Sequence, residues 1–157
     1  MKTVVLGLGN TLLGDDGVGI YALNNLQDNW KDHKNKDSIE FVDGGTLSFT
    51  LTETLYEADN LIVIDAAQLN AKPGVVKVFT DNDMDNFVRT SNCSSVHEVS
   101  LSELMDMARL LNTLPTRRAL IGVQPETVDW ADQPTDVVKN AIPLMCQEAY
   151  SLLEAWH

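Results

Sequence analysis

The 157 residues carry 11 Lys and Arg against 23 Asp and Glu, a net charge of −12. That balance argues against nucleic acid or an anionic membrane surface as a partner, and the length fits one domain, 1–157, with a core of its own. There is no apolar run of about 18 residues and no secretory-type leader, and Cys93 and Cys146 make neither a disulfide framework nor a thiolate zinc knuckle, so a reducing cytoplasm is expected.

The chain starts with an apolar, β-branched run over residues 3–8, a buried strand that passes at once into glycines: Gly7-Leu8-Gly9-Asn10, then Gly14-Asp15-Asp16-Gly17-Val18-Gly19. Val18, Ala22, Leu23, Leu26 and Trp30 then fall on one helical face, so the segment reads strand, loop, helix, with two carboxylates at the loop-to-helix junction. A glycine-rich loop entering a helix also suits phosphates, but the spacing here is G-x-G-x-x-x-x-G. Asp15-Asp16 stands where a P-loop needs Lys and Ser or Thr, and two negative charges would repel a pyrophosphate. Capping of the helix is the ordinary role for either acid alone.

Residues 39–42 predict a second strand, ending at Asp43-Gly44-Gly45-Thr46. Leu47, Leu51, Leu55 and Ala58 predict a helix over 47–58, and residues 61–64 predict a third strand ending at Asp65. This βαβαβ order implies a parallel sheet with right-handed crossovers, whose ligands bind beyond the carboxyl ends of the strands. Asp16, Asp43 and Asp65 all follow strands at that edge. The nine residues between Asp65 and the next strand, 75–80, contain Pro73-Gly74 and are too few for a crossover helix, so that strand is expected to run antiparallel.

A short helix is expected over 81–89, followed by a polar loop through 90–96 that ends at His97. Ser100 and Glu103 form a capping-box pattern before a helix carrying Leu101, Leu104, Met105, Ala108 and Leu111. A fifth strand spans 119–123, and 135–156 reads as helix that Pro143 kinks or divides. The fold class is therefore α/β, a three-layer sandwich around a mixed five-stranded sheet with one antiparallel strand.

Asp16, Asp65 and His97 are candidate metal ligands, because two carboxylates and an imidazole on loops suit zinc, nickel, cobalt or iron with positions left open. His33, in a Lys-rich solvated stretch, and His157, at the terminus, are poorer choices. A lone loop histidine is more often a surface residue, and Cys93 near His97 is more often a small buried filler than a nucleophile.

The chain resembles the hydrogenase maturation endopeptidases, which trim the C-terminus of the large subunit of nickel-iron hydrogenases. The blocks that carry the resemblance are Gly7-Leu8-Gly9-Asn10 with Gly14-Asp15-Asp16-Gly17-Val18-Gly19, Asp43-Gly44-Gly45-Thr46, Ile64-Asp65-Ala66, His97-Glu98 and Gly122-Val123-Gln124-Pro125. The resemblance implies that Asp16, Asp65 and His97 contact metal and that Asp43 is a further functional carboxylate. It implies one cut in a precursor, with two mechanisms open. Either the protein's own zinc or other divalent ion activates water, or the three residues grip nickel already held by the precursor while Asp43 helps a water attack. The second suits a set without a motif such as H-E-x-x-H. A monomer is expected. The alternatives are a Rossmann-like nucleotide-binding module, with Asp43 holding a ribose, and a metal-delivery protein without peptidase activity.

Overall fold

The computed structural model describes residues 1–46, 48–90 and 100–157. Cys93 and His97 therefore lie outside the described residues. Five strands, β1 (Thr3–Leu8), β2 (Ile39–Gly45), β3 (Asn60–Ala66), β4 (Val76–Thr80) and β5 (Arg117–Val123), form one sheet in the order β2-β1-β3-β5-β4. All neighbours pair in parallel except β4 and β5, which are antiparallel with Val78 opposite Ile121. The short Pro-Gly connection before β4 is too tight for a crossover, as the spacing predicts.

The central strands are apolar at nearly every position because both faces of the sheet are covered. On one face Val5, Ile62, Ile64, Ile121 and Val123 pack with Leu23, Leu26 and Trp30 of α1 (Val18–Trp30) and Met145, Ala149 and Leu153 of α6 (Ile142–Trp156). On the other, Val4, Leu6, Leu61, Val63 and Leu120 meet α2 (Thr52–Tyr56), α3 (Asp81–Thr90) and α4 (Leu101–Leu110) through Leu55, Met84, Val88, Leu104 and Met105. The three layers follow from strand alternation, which sends successive side chains to opposite faces.

Two helices differ from their expected form. In place of one helix over 47–58, a 3-10 turn (Phe49–Leu51) leads into the five-residue α2. The helix stops early because Asp59 and Asn60 already donate their amides to Lys2 O, which starts β3 beside β1. The expected helix over 135–156 is divided into α5 (Asp136–Lys139) and α6, with Pro143 in the first turn of α6, where its missing N–H costs no helical hydrogen bond. At α4 the capping pattern forms: the amide of Glu103 donates to Ser100 Oγ at 3.0 Å.

The chain leaves β1 toward β2 on one side and returns to the other side for β3. The gap between the carboxyl ends of β1 and β3 is thus the topological switch point, the place where open α/β sheets bind ligands.

Candidate active site

The turn before α1 sits over that gap. Gly9, at φ +131°, ends β1 in a conformation that side chains rarely adopt, and a Cβ there would collide with the backbone oxygen of Asp16. This close approach folds the 3-10 turn Gly14–Gly17 onto the strand end. Asp16 is fully buried, and its Oδ2 accepts the amide of Asn10 at 3.0 Å.

Its neighbour Asp15 does different work. Asp15 is also fully buried, and its carboxylate accepts the amides of Glu126 (2.8 Å), Thr127 (3.1 Å) and Thr135 (2.6 Å) together with the Thr135 hydroxyl. It is a structural anion that hangs the 126–135 loop from the turn. Sequence reasoning gave Asp15 no role beyond helix capping, because its partners lie more than a hundred residues away and are mostly backbone amides, which no side-chain motif announces. The pair fills the loop before α1 where a phosphate would have to sit, and this opposes the nucleotide-binding alternative.

Asp65, next to last in β3 and opposite Gly122 of β5, is fully buried. By alternation it shares a face with Leu61 and Val63, the side of α2, α3 and α4. Asp16 and Asp65 are therefore two buried carboxylates at the carboxyl ends of the adjacent strands β1 and β3. Asp43 stands at the same end of the edge strand β2, but it is exposed, alternates with Val42 to the opposite face from Asp65, and accepts the amide of Gly45 through Oδ1 at 2.9 Å. Among the described residues no three His, Cys, Asp or Glu side chains are grouped to hold a metal ion. The described donors at the switch point are the carboxylates of Asp16 and Asp65, hard oxygen ligands that suit a divalent cation.

One supporting residue was visible only as part of the Gly122-Val123-Gln124-Pro125 block. Gln124 is buried just past β5, where its Oε1 accepts the amide of Leu69 at 2.7 Å and its Nε2 donates to Gln68 Oε1 at 2.9 Å. It holds the chain that leaves Asp65.

Comparison with known proteins adds the family. The model of the HycI family, described as hydrogenase maturation protease, matches residues 20–152. The chain belongs to the hydrogenase maturation protease family. It is 32% identical over 156 residues to the hydrogenase expression/formation protein HupD of Rhizobium leguminosarum bv. viciae, spanning 99% of this chain and 75% of that one. It is 30% identical over 131 residues to the hydrogenase 2 maturation protease of Escherichia coli K12, spanning 82% of this chain and 76% of that one. Among solved structures, the hydrogenase maturating endopeptidase HybD from E. coli superposes with a TM-score of 0.87 at 25% identity, over 99% of this chain and 93% of that one. The mixed sheet with one antiparallel pair is thus the fold of this family's endopeptidases, and the chain is a peptidase of hydrogenase maturation. Among the described residues no helix is long and apolar enough to cross a membrane.

Proposed function

We propose that this protein is the endopeptidase that removes a C-terminal extension from the large-subunit precursor of a nickel-iron hydrogenase after nickel has been inserted, and that it recognises the bound nickel. The observation that carries the reading is the burial of two carboxylates, Asp16 and Asp65, at the switch point of a hydrogenase maturation protease fold. Carboxylate oxygens are hard donors that suit a divalent cation presented by a substrate.

In this reading Asp16, Asp65 and His97 ligate nickel that is part of the precursor, so the metal belongs to the substrate. Two oxygens and an imidazole leave coordination positions for the precursor's own donors. Selectivity then comes from a bridge that neither partner completes alone. Asp43 is proposed as the carboxylate that orients or deprotonates the attacking water; its exposure at the edge of the sheet supports access by solvent. The reaction adds water across one peptide bond, giving a new carboxylate on the mature subunit and a free amine on the released peptide. The 157 residues act as one domain and a monomer, in the cytoplasm.

The test mixes the purified protein with matched nickel-free and nickel-loaded precursor under chelator-treated conditions and follows peptide release by mass. Cleavage of only the loaded form is expected. Equal cleavage of both would return the mechanism to an ion of the protein's own, such as zinc, and no cleavage of either would remove the peptidase assignment.

A further inference from the structure

Large apolar side chains stand exposed beside the switch point. Trp130 is 78% exposed, Leu12 59% and Val128 42%. Leu12 belongs to the turn that carries Asp16, and Val128 and Trp130 belong to the loop that Asp15 suspends from that turn. The two segments are paired. Leu13 and Ala131 form a parallel bridge, with the amide of Ala131 donating to Leu12 O at 3.0 Å and the amide of Gly14 to Ala131 O at 3.1 Å. Leu12 and Trp130 each stand one residue before a member of this bridge. Tyr21 Oη donates to Asp132 O at 2.8 Å and fixes the far side of the loop to α1. The rim is thus an apolar pair held on a braced backbone.

Its charge is mainly acidic. Glu126, Asp129, Asp132 and Asp136 lie within six residues of Trp130, against one cation, Lys139, whose Nζ donates to Gln133 Oε1 at 2.7 Å. An acidic border around an exposed tryptophan fits an apolar side chain flanked by Lys or Arg, since cations meet both the carboxylates and the indole face.

We propose that the Leu12, Val128 and Trp130 rim is the docking surface for a segment of the precursor polypeptide that carries an apolar side chain among basic residues. The proposal rests on the peptidase reading above and extends it from the metal to the chain around it. Nickel decides whether the precursor is cut, and the rim holds the chain in place while that happens. Docking of this kind adds affinity through effective concentration, so its loss is read in KM and leaves kcat alone.

The experiment measures steady-state cleavage of nickel-loaded precursor by the full chain and by Trp130→Ala, Leu12→Ser, Asp132→Lys and Leu110→Ser. Leu110 is 83% exposed at the end of α4 that leads toward the start of β5, away from the switch point, and serves as the control. Trp130→Ala and Leu12→Ser are expected to raise KM about tenfold with kcat within about twofold, as anchor truncations do. Asp132→Lys and added salt should each raise KM, and Leu110→Ser should change neither constant. Unchanged KM in the two rim variants, with the wild type active, overturns the docking surface and leaves the peptidase reading standing. A lowered kcat at unchanged KM also overturns it. A KM indifferent to salt and to Asp132→Lys overturns the basic occupant, and an inactive wild type overturns the peptidase reading itself.

Discussion

Thr135 donates both its amide (2.6 Å) and its hydroxyl (3.0 and 2.9 Å to the two oxygens) to the carboxylate of Asp15, 120 residues away in the chain. With Glu126 and Thr127 on the same carboxylate, one buried charge organises the whole loop after β5. Replacing Asp15 by Ala would strand three backbone amides in a buried place. The expected cost is about 3 kcal/mol, with a fall in Tm of about 10 °C for a chain of this length. Asp15→Asn should lose less, because one amide oxygen still accepts. Urea denaturation of the two variants checks the order, and limited proteolysis should find new cuts within 126–135. An Asp15→Ala variant as stable as wild type would remove the carboxylate from its structural role.

The ion pair between α3 and β5 predicts an acid-sensitive stability. Arg118 grips Asp85 through Nε at 2.8 Å and Nη2 at 2.6 Å, a bidentate pair with both side chains mostly buried. The hydrogen bond from Arg118 holds the Asp85 carboxyl below its usual range, against the opposing effect of burial. A folded-state pKa below the unfolded one means stability that is fully present above the unfolded carboxylate value, about pH 4, and lost as pH falls through the depressed value. Asp85→Asn should cost about 2 kcal/mol at pH 7. The deficit should be smaller in acid, once pH has fallen through the depressed value and wild-type Asp85 has itself gained a proton. A deficit equal at pH 7 and in acid would assign the loss to packing.

Cys146 offers a chemical probe of the α1 and α6 interface. Burial pushes its thiol up to about 11, and its Sγ lies 3.4 Å from Ala22 O. At pH 8 roughly one molecule in a thousand would carry the thiolate, which is the reactive form. Alkylation followed by peptide mapping should find Cys146 unmodified in the native protein and labelled promptly in denaturant. Prompt native labelling would show that α6 opens away from α1.

Much of the architecture is legible because it rests on local signals. The buried strands announce themselves as unbroken apolar runs, the antiparallel β4 follows from a connection too short for a crossover, and Ser100 with Glu103 spells the start of α4. The acids at strand ends are legible in the same way, since Asp43 and Asp65 close apolar runs. Where the sequence is silent, the partner is distant or is backbone. Nothing near Asp15 names Glu126, Thr127 and Thr135, and nothing near Asp85 names Arg118. The α2 region failed for another reason: Leu47, Leu51, Leu55 and Ala58 keep helical spacing, but the tertiary pairing of Asp59 and Asn60 with Lys2 ends the helix after Tyr56. The opposed faces of Asp43 and Asp65 depend on strand register, which composition does not encode.

The proposed role of Asp43 yields a separable outcome. Asp43→Asn retains an oxygen that can accept the Gly45 amide, and the side chain is exposed, so the unfolding free energy should stay within about 0.5 kcal/mol of wild type. Cleavage of nickel-loaded precursor should fall about a hundredfold or more, the scale of general-base catalysis. Binding of a nickel-loaded precursor should be retained, since the proposed ligating set, Asp16, Asp65 and His97, does not include Asp43. Full activity in this variant would take Asp43 out of the chemistry.

Gly7 and Gly19 make the closest approach between strand and helix beside the switch point. A Cβ on Gly7 would lie 2.7 Å from Gly19 O, and a Cβ on Gly19 would collide with both Leu8 O and Ile64 O. These are backbone atoms of β1 and β3, so no side-chain rotation can relieve the clash. Gly19→Ala must therefore lift the first turn of α1 from the sheet, carrying with it the turn that holds Asp16 and disturbing the carbonyl just before Asp65. Ala in place of Gly favours the helix by under about 1 kcal/mol, whereas overpacking against fixed backbone costs about 3 kcal/mol, so the clash wins. Activity should fall further than stability does, because the two carboxylates are displaced relative to each other even in molecules that remain folded. Urea unfolding gives the first quantity, and precursor cleavage at a temperature where the variant is fully folded gives the second. A Gly19→Ala protein with the wild-type unfolding midpoint would mean that α1 does not rest on the strand ends in this way. A destabilised variant with wild-type cleavage would instead separate the helix contact from the alignment of Asp16 with Asp65.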